Sequence, residues 1–211
     1  MNPMLPITEQ YRQIRTSIQF SSVDKRIKSI VLASAQSGEG KSTTASNLAI
    51  VLAQQGNQVL LVDADLRKPS IHYAFRVSNI EGLTNVLTKE VELDRAIKQT
   101  AIHNLSLLTS GSKPPNPSEI LSSNSMEILM GKLNEMFDFV IYDTPPVLAV
   151  TDSQVLANKC DGVILVVASG KTTKELALKS LEVLKQARAH ILGAVVNGIE
   201  LSKKEYYREY K

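Results

Sequence analysis

The sequence predicts an α/β fold in which a mostly parallel central sheet lies between two layers of helices. Short β-branched runs recur along the chain and are apolar at consecutive positions, which is typical of strands covered on both faces. The segments between them carry apolar residues at helical spacing. Because such alternation implies right-handed crossovers, it favours an open sheet whose ligands bind at the carboxyl ends of the strands.

Six apolar runs are the predicted strands of this sheet. They are Ser29–Ser34, Val59–Asp63, Leu105–Thr109, Phe139–Asp143, Gly162–Val167 and Ile191–Asn197. Helical spacing predicts helices over Ser42–Gln55, over Thr173–Ala187 and over residues 8–21. The proline-rich stretch at residues 111–117 is interpreted as a loop, because strand–helix alternation continues on both sides of it. We therefore predict one domain, residues 1–199, followed by a flexible tail, residues 200–211.

The composition excludes several classes of protein. The 211 residues are 43% hydrophobic and 21% charged, which is enough to bury one sizeable core. A net charge of +3, spread over 24 basic and 21 acidic residues, gives no reason to expect a nucleic-acid partner. Cys160 is the only cysteine, so an intramolecular disulfide is excluded. The sequence shows no secretory-signal pattern and no apolar run long enough to span a bilayer, so we expect a cytoplasmic protein.

The strongest local pattern lies between the first predicted strand and the helix after it. Residues 34–43 read SAQSGEGKST, which is close to the P-loop that binds nucleotide phosphates. The glycines let backbone N–H groups curl around phosphate oxygens, and the next helix points its N-terminus at the same anion. The pattern has Ala35 where a glycine is usual. The alternative, a turn that binds nothing, is disfavoured by the flanking strand and helix.

This P-loop predicts ATP and Mg²⁺ as cofactors and a P-loop NTPase-like three-layer sandwich as the fold. The candidate nucleotide-binding residues are Ser37, Gly38, Glu39, Gly40, Lys41, Ser42 and Thr43. Lys41 would reach the β- and γ-phosphates, and the Ser42 hydroxyl would bind Mg²⁺.

Carboxylates stand at the ends of two further predicted strands. Asp63 and Asp65 close the run VLLVDAD, and Asp143 ends FVIYD. One aspartate at a strand end is more often a turn or cap residue. Three of them on the side of the P-loop supply what phosphoryl transfer requires, a metal site and a base for the acceptor's proton. The candidate catalytic residues are Lys41, Asp63, Asp65 and Asp143, and the candidate Mg²⁺ ligands are Ser42, Asp63 and Asp143.

Together these motifs resemble the bacterial tyrosine kinases encoded with capsule and exopolysaccharide synthesis genes, known as BY-kinases. GEGKST at residues 38–43 is similar to their P-loop, LVDADLRKP at residues 61–69 to their Walker A′ motif, and VIYDTPP at residues 140–146 to their Walker B motif. The similarity runs from about Glu9 to the tail. Related partition and division-site ATPases carry a signature lysine where this chain has Gln36, so the sequence favours the kinase.

The resemblance implies roles for the nucleotide-binding residues. Lys41 would hold the phosphates, while Ser42 and Asp143 would organise Mg²⁺ directly or through water. Asn197, at the end of the last predicted strand, would contact adenine as its counterpart does in related ATPases. A simple turn residue is the alternative for Asn197.

The C-terminal residues supply a candidate acceptor. Tyr206, Tyr207 and Tyr210 lie within the last six residues, with charged residues between them. A charged terminal segment can enter an active site, although a tail that docks on a partner is the alternative. The resemblance implies autophosphorylation of these tyrosines on a neighbouring subunit, followed by weaker assembly as charge accumulates.

The resemblance also makes Asp63 the base toward the tyrosine hydroxyl and Asp65 a supporting carboxylate or second metal contact. The division of work between Asp63 and Asp65 stays open.

The predicted N-terminal helix carries the pattern E-x-x-R-x-x-R at Glu9, Arg12 and Arg15. A spacing of three places these charges along one side of the helix. An ordinary solvated face with intrahelical ion pairs is the simple interpretation. The resemblance assigns the motif to subunit contacts in a homo-oligomeric ring.

The resemblance also predicts partners and a location. They are a separate membrane-protein activator whose cytoplasmic tail recruits the kinase to the inner face of the membrane, a cognate tyrosine phosphatase, and protein substrates of polysaccharide synthesis. Two alternatives are a partition-type ATPase that acts as a nucleotide-driven positioning switch and a nucleotide-binding regulator that acts through its oligomeric state. Gln36 and the tyrosine-rich tail favour the kinase over the switch.

Overall fold

The fold is known from a computed structural model, which describes residues 6–21 and 27–199. The strands are β1 (Ser29–Ser34), β2 (Val59–Asp63), β3 (Ile97–Gln99), β4 (Leu105–Leu108), β5 (Phe139–Asp143), β6 (Gly162–Ala168) and β7 (Ile191–Asn197). The helices are α1 (Pro6–Phe20), α2 (Lys41–Ala53), α3 (Ile71–Phe75), α4 (Leu83–Leu87), α5 (Leu93–Ala96), α6 (Pro117–Ser122), α7 (Asn124–Met136), α8 (Asp152–Lys159) and α9 (Lys174–Gln186).

The strands form one sheet in the order β3-β4-β2-β5-β1-β6-β7. All neighbouring pairs are parallel except β3 and β4, which are antiparallel. The predicted α/β class and all six predicted strands are confirmed to within one residue at each end. The seventh strand, β3, was not predicted, because its three residues IKQ contain no apolar run.

Alternate residues of the inner strands supply two separate cores. In β2, Leu60 and Val62 join one core, while Val59 and Leu61 join the other. Helices α4, α7, α8 and α9 cover the first core, and α1 and α2 cover the second. This arrangement explains why the inner strands are apolar at consecutive positions, since neither face of these strands meets water.

The sheet order brings the predicted motifs together. Strand β1, which runs into the P-loop, lies beside β5, and β5 lies beside β2. Asp63 and Asp143 are partners in the register of β2 and β5. The P-loop and both carboxylates therefore lie at one edge, at the carboxyl ends of three adjacent strands. In the part of the chain that the structure describes, no helix is long and apolar enough to cross a membrane.

Candidate active site

The P-loop backbone has the conformation that its glycines permit. Gly38 and Gly40 have φ values of 75° and 86°, in the left-handed region that other residues rarely occupy. Gly40 is the N-cap of α2, and Lys41 is the first residue of that helix. Ser42 is half-buried in the same turn and Thr43 is exposed. The loop therefore leads directly into a helix N-terminus, which favours an anion.

Lys41 is paired with the carboxylate at the end of β5. Its Nζ atom lies 2.6 Å from Oδ1 of Asp143, and their side chains are 8% and 0% exposed. A buried ion pair of this kind compensates two charges that would each be costly alone. Two of the predicted site residues, 102 positions apart in the chain, are thus in direct contact.

Asp63 is buried beside this ion pair. Its Oδ2 atom accepts hydrogen bonds from the backbone N–H groups of Ser70 and Ile71, each at 3.0 Å. Burial and then the charge of Asp143 raise the pKa of Asp63 from 3.8 to about 7, against the lowering effect of those hydrogen bonds. A carboxyl group with a pKa near neutrality can exchange a proton at physiological pH.

The two carboxylates have the atoms that a divalent cation needs. Oδ1 of Asp63 and Oδ2 of Asp143 are buried and have no hydrogen-bond partner among the described residues. Mg²⁺ takes few protein carboxylates and keeps several waters, so it does not require a larger ligand cluster. Within residues 6–21 and 27–199, no group of three or more His, Cys, Asp or Glu side chains could hold a metal ion. The residues present fit Mg²⁺ with two carboxylates, with Ser42 in the adjacent helical turn.

Asp65 has a different environment from Asp63. Its Oδ1 atom accepts hydrogen bonds from the backbone N–H groups of Arg67 at 3.2 Å and Lys68 at 2.9 Å. It therefore holds the turn that follows β2, as an aspartate at a strand end commonly does. Its charge also contributes to the raised pKa of Asp63.

The turn after β2 is also fixed by a contact that the sequence did not reveal. The Arg67 guanidinium donates from Nε to Oδ2 of Asp152 at 2.9 Å and from a terminal nitrogen to Oδ1 at 3.1 Å. Ser118 of α6 also donates to Oδ1 of Asp152 at 2.5 Å. The Asp152 side chain is fully buried and holds the Arg67 guanidinium so firmly that the pKa of Arg67 is raised further. In the sequence, Asp152 is indistinguishable from any aspartate at the start of a helix.

A cavity of about 330 Å³ opens beside the P-loop. Part of its wall is apolar, formed by Pro145, Pro146 and Leu148 after β5. Asp65, Arg67 and Lys68 line another part of the wall, and Gln36 and Ser37 of the P-loop complete it. The cavity is thus bounded by the three motifs that the sequence singled out.

Comparisons with known proteins agree with this geometry. Residues 27–193 match the AAA domain family. The chain is 52% identical over 203 residues to the tyrosine-protein kinase YwqD of Bacillus subtilis, covering 96% of this chain and 86% of that protein. It is 38% identical over 208 residues to the putative tyrosine-protein kinase CapB of Staphylococcus aureus, covering 99% of this chain and 91% of that protein. The chain belongs to the BY-kinase family. It is therefore a protein-tyrosine kinase.

Solved BY-kinase structures have the same fold. The kinase domain of Escherichia coli ETK superposes with a TM-score of 0.91 at 36% identity, covering 96% of this chain and 80% of that one. The septum site-determining protein MinD of Pyrococcus horikoshii gives a TM-score of 0.70 at 26% identity, covering 84% of this chain and 72% of that one. The positioning switch considered from the sequence thus corresponds to a more distant relative.

Two other predicted features of this BY-kinase lie outside the cluster of acids. Asn197 donates from Nδ2 to the backbone oxygen of Glu39 at 3.1 Å, so it contacts the P-loop itself. On α1, Arg12 pairs with Glu9 at 3.0 Å, and Arg15 donates to the backbone oxygen of Val51 at 3.4 Å. The three tail tyrosines, Tyr206, Tyr207 and Tyr210, lie outside the described residues.

Proposed function

We propose that this kinase transfers the γ-phosphate of Mg-ATP to tyrosine hydroxyl groups at a centre formed by Lys41, Asp63 and Asp143. The observation that carries the proposal is a pair of buried carboxylates at adjacent strand ends, one of them bonded to the P-loop lysine. With Asp63 ionised, two carboxylates and one ammonium have a net negative charge. That charge, together with one unbonded oxygen on each carboxylate, favours a divalent cation.

The residues of the chain divide the work as follows. The backbone N–H groups of Ser37 to Thr43 and the Lys41 ammonium bind the phosphates. Ser42 and Asp143 would hold Mg²⁺, directly or through water, with Asp63 as a further candidate ligand. When bound, Mg²⁺ neutralises charge on the phosphoryl group being transferred.

Asp63 is the base in this proposal. The tyrosine oxygen forms a bond to the γ-phosphorus, the bond from that phosphorus to the bridging oxygen of ADP breaks, and the hydroxyl proton passes to the Asp63 carboxylate. A pKa of about 7 suits a group that must accept a proton at neutral pH and release it afterwards. Asp65 supports this role by holding the turn after β2 and by adding negative charge near Asp63.

The cavity beside the P-loop is the proposed entrance for the acceptor. Its apolar wall at Pro145 and Pro146 can contact a tyrosine ring, and the exposed Lys68 can pair with acidic residues near the acceptor. Glu205 directly precedes Tyr206 and Glu209 directly precedes Tyr210, in a tail that also carries basic residues. Three tyrosines within the last six residues support the tail as the first acceptor.

We further propose that Tyr206, Tyr207 and Tyr210 are phosphorylated by a neighbouring subunit of a homo-oligomeric ring. Glu9, Arg12 and Arg15 on α1 would form part of the ring contact by exchanging intrachain partners for partners on the neighbour. The catalytic domain would extend over residues 1–199, and the tail over residues 200–211.

The names of relatives support the remaining assignments. One solved structure that resembles this chain, with a TM-score of 0.92 at 41% identity over 95% of this chain and 88% of that one, is the chimerical protein CapA2B2. The name of this chimera combines CapA with CapB, which is consistent with a kinase that works with a second protein. We propose a membrane-protein activator whose cytoplasmic tail brings this cytoplasmic kinase to the membrane, a cognate tyrosine phosphatase, and protein substrates of capsule or exopolysaccharide synthesis.

The proposal is tested by incubating the full chain with Mg-ATP, with and without the cytoplasmic tail of an activator, and mapping phosphotyrosine by mass spectrometry. We expect phosphate on Tyr206, Tyr207 or Tyr210 in the wild type and none with Lys41→Met or Asp63→Asn. ATP turnover without phosphotyrosine, even with the activator present, would refute the kinase mechanism proposed here. Phosphotyrosine that persists after all three tail tyrosines are replaced by phenylalanine would refute only the acceptor assignment.

A further inference from the structure

The outer side of the P-loop is tied to a turn that none of the three motifs includes. This turn, residues 168–172, joins β6 to α9 and is closed by hydrogen bonds from the backbone N–H groups of Lys171 and Thr172 to the Ala168 oxygen. Gly170 adopts a φ of 68° within it. The turn therefore has a defined shape that presents two side chains to the P-loop.

Lys171 holds two consecutive peptide groups of the P-loop. Its Nζ atom donates to the backbone oxygens of Ser37 and Gly38, each at 3.1 Å. A Cβ atom on Gly38 would lie 2.9 Å from the same Nζ atom, so the lysine packs directly against the loop. The ammonium group thus lies on the carbonyl side of both peptides.

Thr172, the second of these side chains, fixes Glu39, the next residue of the P-loop. Glu39 is 1% exposed, and its carboxylate accepts from the Thr172 hydroxyl at 2.5 Å and from the Gln36 backbone N–H at 2.9 Å. Asn197 holds the backbone oxygen of Glu39 from the end of β7. The carbonyl groups of three successive P-loop residues are therefore all held from the β6 and β7 side.

The orientation of these carbonyl groups decides where the N–H groups point. In a planar trans peptide the C=O and N–H bonds point in opposite directions. Because Lys171 holds the oxygens of Ser37 and Gly38, the N–H groups of Gly38 and Glu39 point away from it. A cation on a carbonyl oxygen also polarises the peptide and makes its N–H a stronger donor. These are P-loop N–H groups of the kind that bind phosphate.

We propose that Lys171 is a positioning residue for nucleotide binding: it aims and polarises the N–H groups of Gly38 and Glu39 without touching the phosphates. This inference rests on the proposed function, since it presumes that the P-loop binds a nucleotide. Because both N–H groups belong to the part of the loop that holds the α- and β-phosphates, ATP and ADP depend on Lys171 equally.

The test compares the affinities of the full chain for Mg-ATP and Mg-ADP by titration calorimetry. Lys171→Met should weaken both by roughly three- to tenfold, a modest factor because the lysine is exposed to solvent. Lys171→Arg should restore most of the loss. Lys174→Met, which removes the same charge from an exposed position of α9, is the matched control and should leave both affinities unchanged.

Kinetics provides a readout that a general loss of structure would not reproduce. For Lys171→Met we expect the KM for ATP in tyrosine phosphorylation to rise by the same factor, with kcat within about twofold of the wild type. Loss of affinity for ATP alone would overturn the inference, because it would place Lys171 on the γ-phosphate. Equal losses in Lys174→Met, or none in Lys171→Met, would also overturn it. A wild-type chain that binds neither nucleotide would instead refute the proposed function, and this inference with it.

Discussion

Replacing Asp63 by asparagine tests whether the fold holds this carboxyl group at a cost in stability. The group is fully buried, and its pKa is raised from 3.8 to about 7, first by burial and then by Asp143. The folded protein therefore binds this proton more tightly than the unfolded chain does. The stabilising contribution is complete below about pH 4 and is lost as the pH rises through about 7. Asparagine keeps the shape and can still accept from Ser70 and Ile71, but it has no charge to lose.

The size of this effect on stability follows from the pKa shift of Asp63. About three pKa units, at about 1.4 kcal/mol each, give about 4 kcal/mol in the free energy of unfolding of the nucleotide-free protein. Roughly 3 kcal/mol of this falls between pH 5 and pH 8, because the carboxyl group of the unfolded chain is already mostly ionised at pH 5. We therefore expect Asp63→Asn to be more stable than the wild type at pH 8, by about 4 kcal/mol, and to lose phosphotransfer.

The measurement is urea unfolding of both proteins at pH 5 and pH 8 in the presence of a chelator. Asp94→Asn, which removes a carboxylate from an exposed position, is the control and should show no such pH-dependent difference. A variant that is no more stable than the wild type at pH 8 would contradict this reasoning. So would a stability difference that does not change between the two pH values.

Three further predictions concern residues that support the site and the fold. Asp152→Ala removes the buried partner of Arg67 and should lower the free energy of unfolding by about 2 kcal/mol, measured by chemical denaturation, because the arginine is partly exposed. Gly82→Ala would place a Cβ atom 2.1 Å from a backbone oxygen and should destabilise the protein, whereas Gly131→Ala has open space in α7 and should stabilise it by about 0.5–1 kcal/mol, measured as shifts in Tm. Burial raises the pKa of the Cys160 thiol, so an alkylating reagent should label it at least roughly a hundredfold faster in denaturant than in the native protein, followed by mass spectrometry.

The sequence predicted the parts of the fold whose information is local. The inner strands were recognisable because both of their faces are covered, and the P-loop because its residues are consecutive. The alternation of strands and helices predicted a largely parallel sheet, but not the order of its strands. The edge strand β3 was missed because an antiparallel pairing of three residues depends on the neighbouring β4 and not on its own composition.

Contacts between residues that are far apart in the chain could not be predicted from the sequence. Arg67 and Asp152 are 85 positions apart, and Glu39 and Thr172 are 133 positions apart. In the sequence, each of these residues is an ordinary residue of a turn, of a loop or of the start of a helix. They become partners only in the folded protein, where β6 lies beside β1 and the start of α8 contacts the turn after β2.

The ion pair between Lys41 and Asp143 shows how the site can be stable both with and without nucleotide. Without nucleotide, the ammonium group compensates a carboxylate that would otherwise be buried alone, at a separation of 2.6 Å. With nucleotide, Lys41 would bind phosphate oxygens, and Asp143 would need a different cation. Oδ1 of Asp63 and Oδ2 of Asp143 have no hydrogen-bond partner among the described residues, so they are available to a divalent cation. Nucleotide and metal binding should therefore be coupled. Phosphates that bind Lys41 leave Asp143 without its cation, and a divalent cation at Asp143 frees Lys41 to bind phosphates.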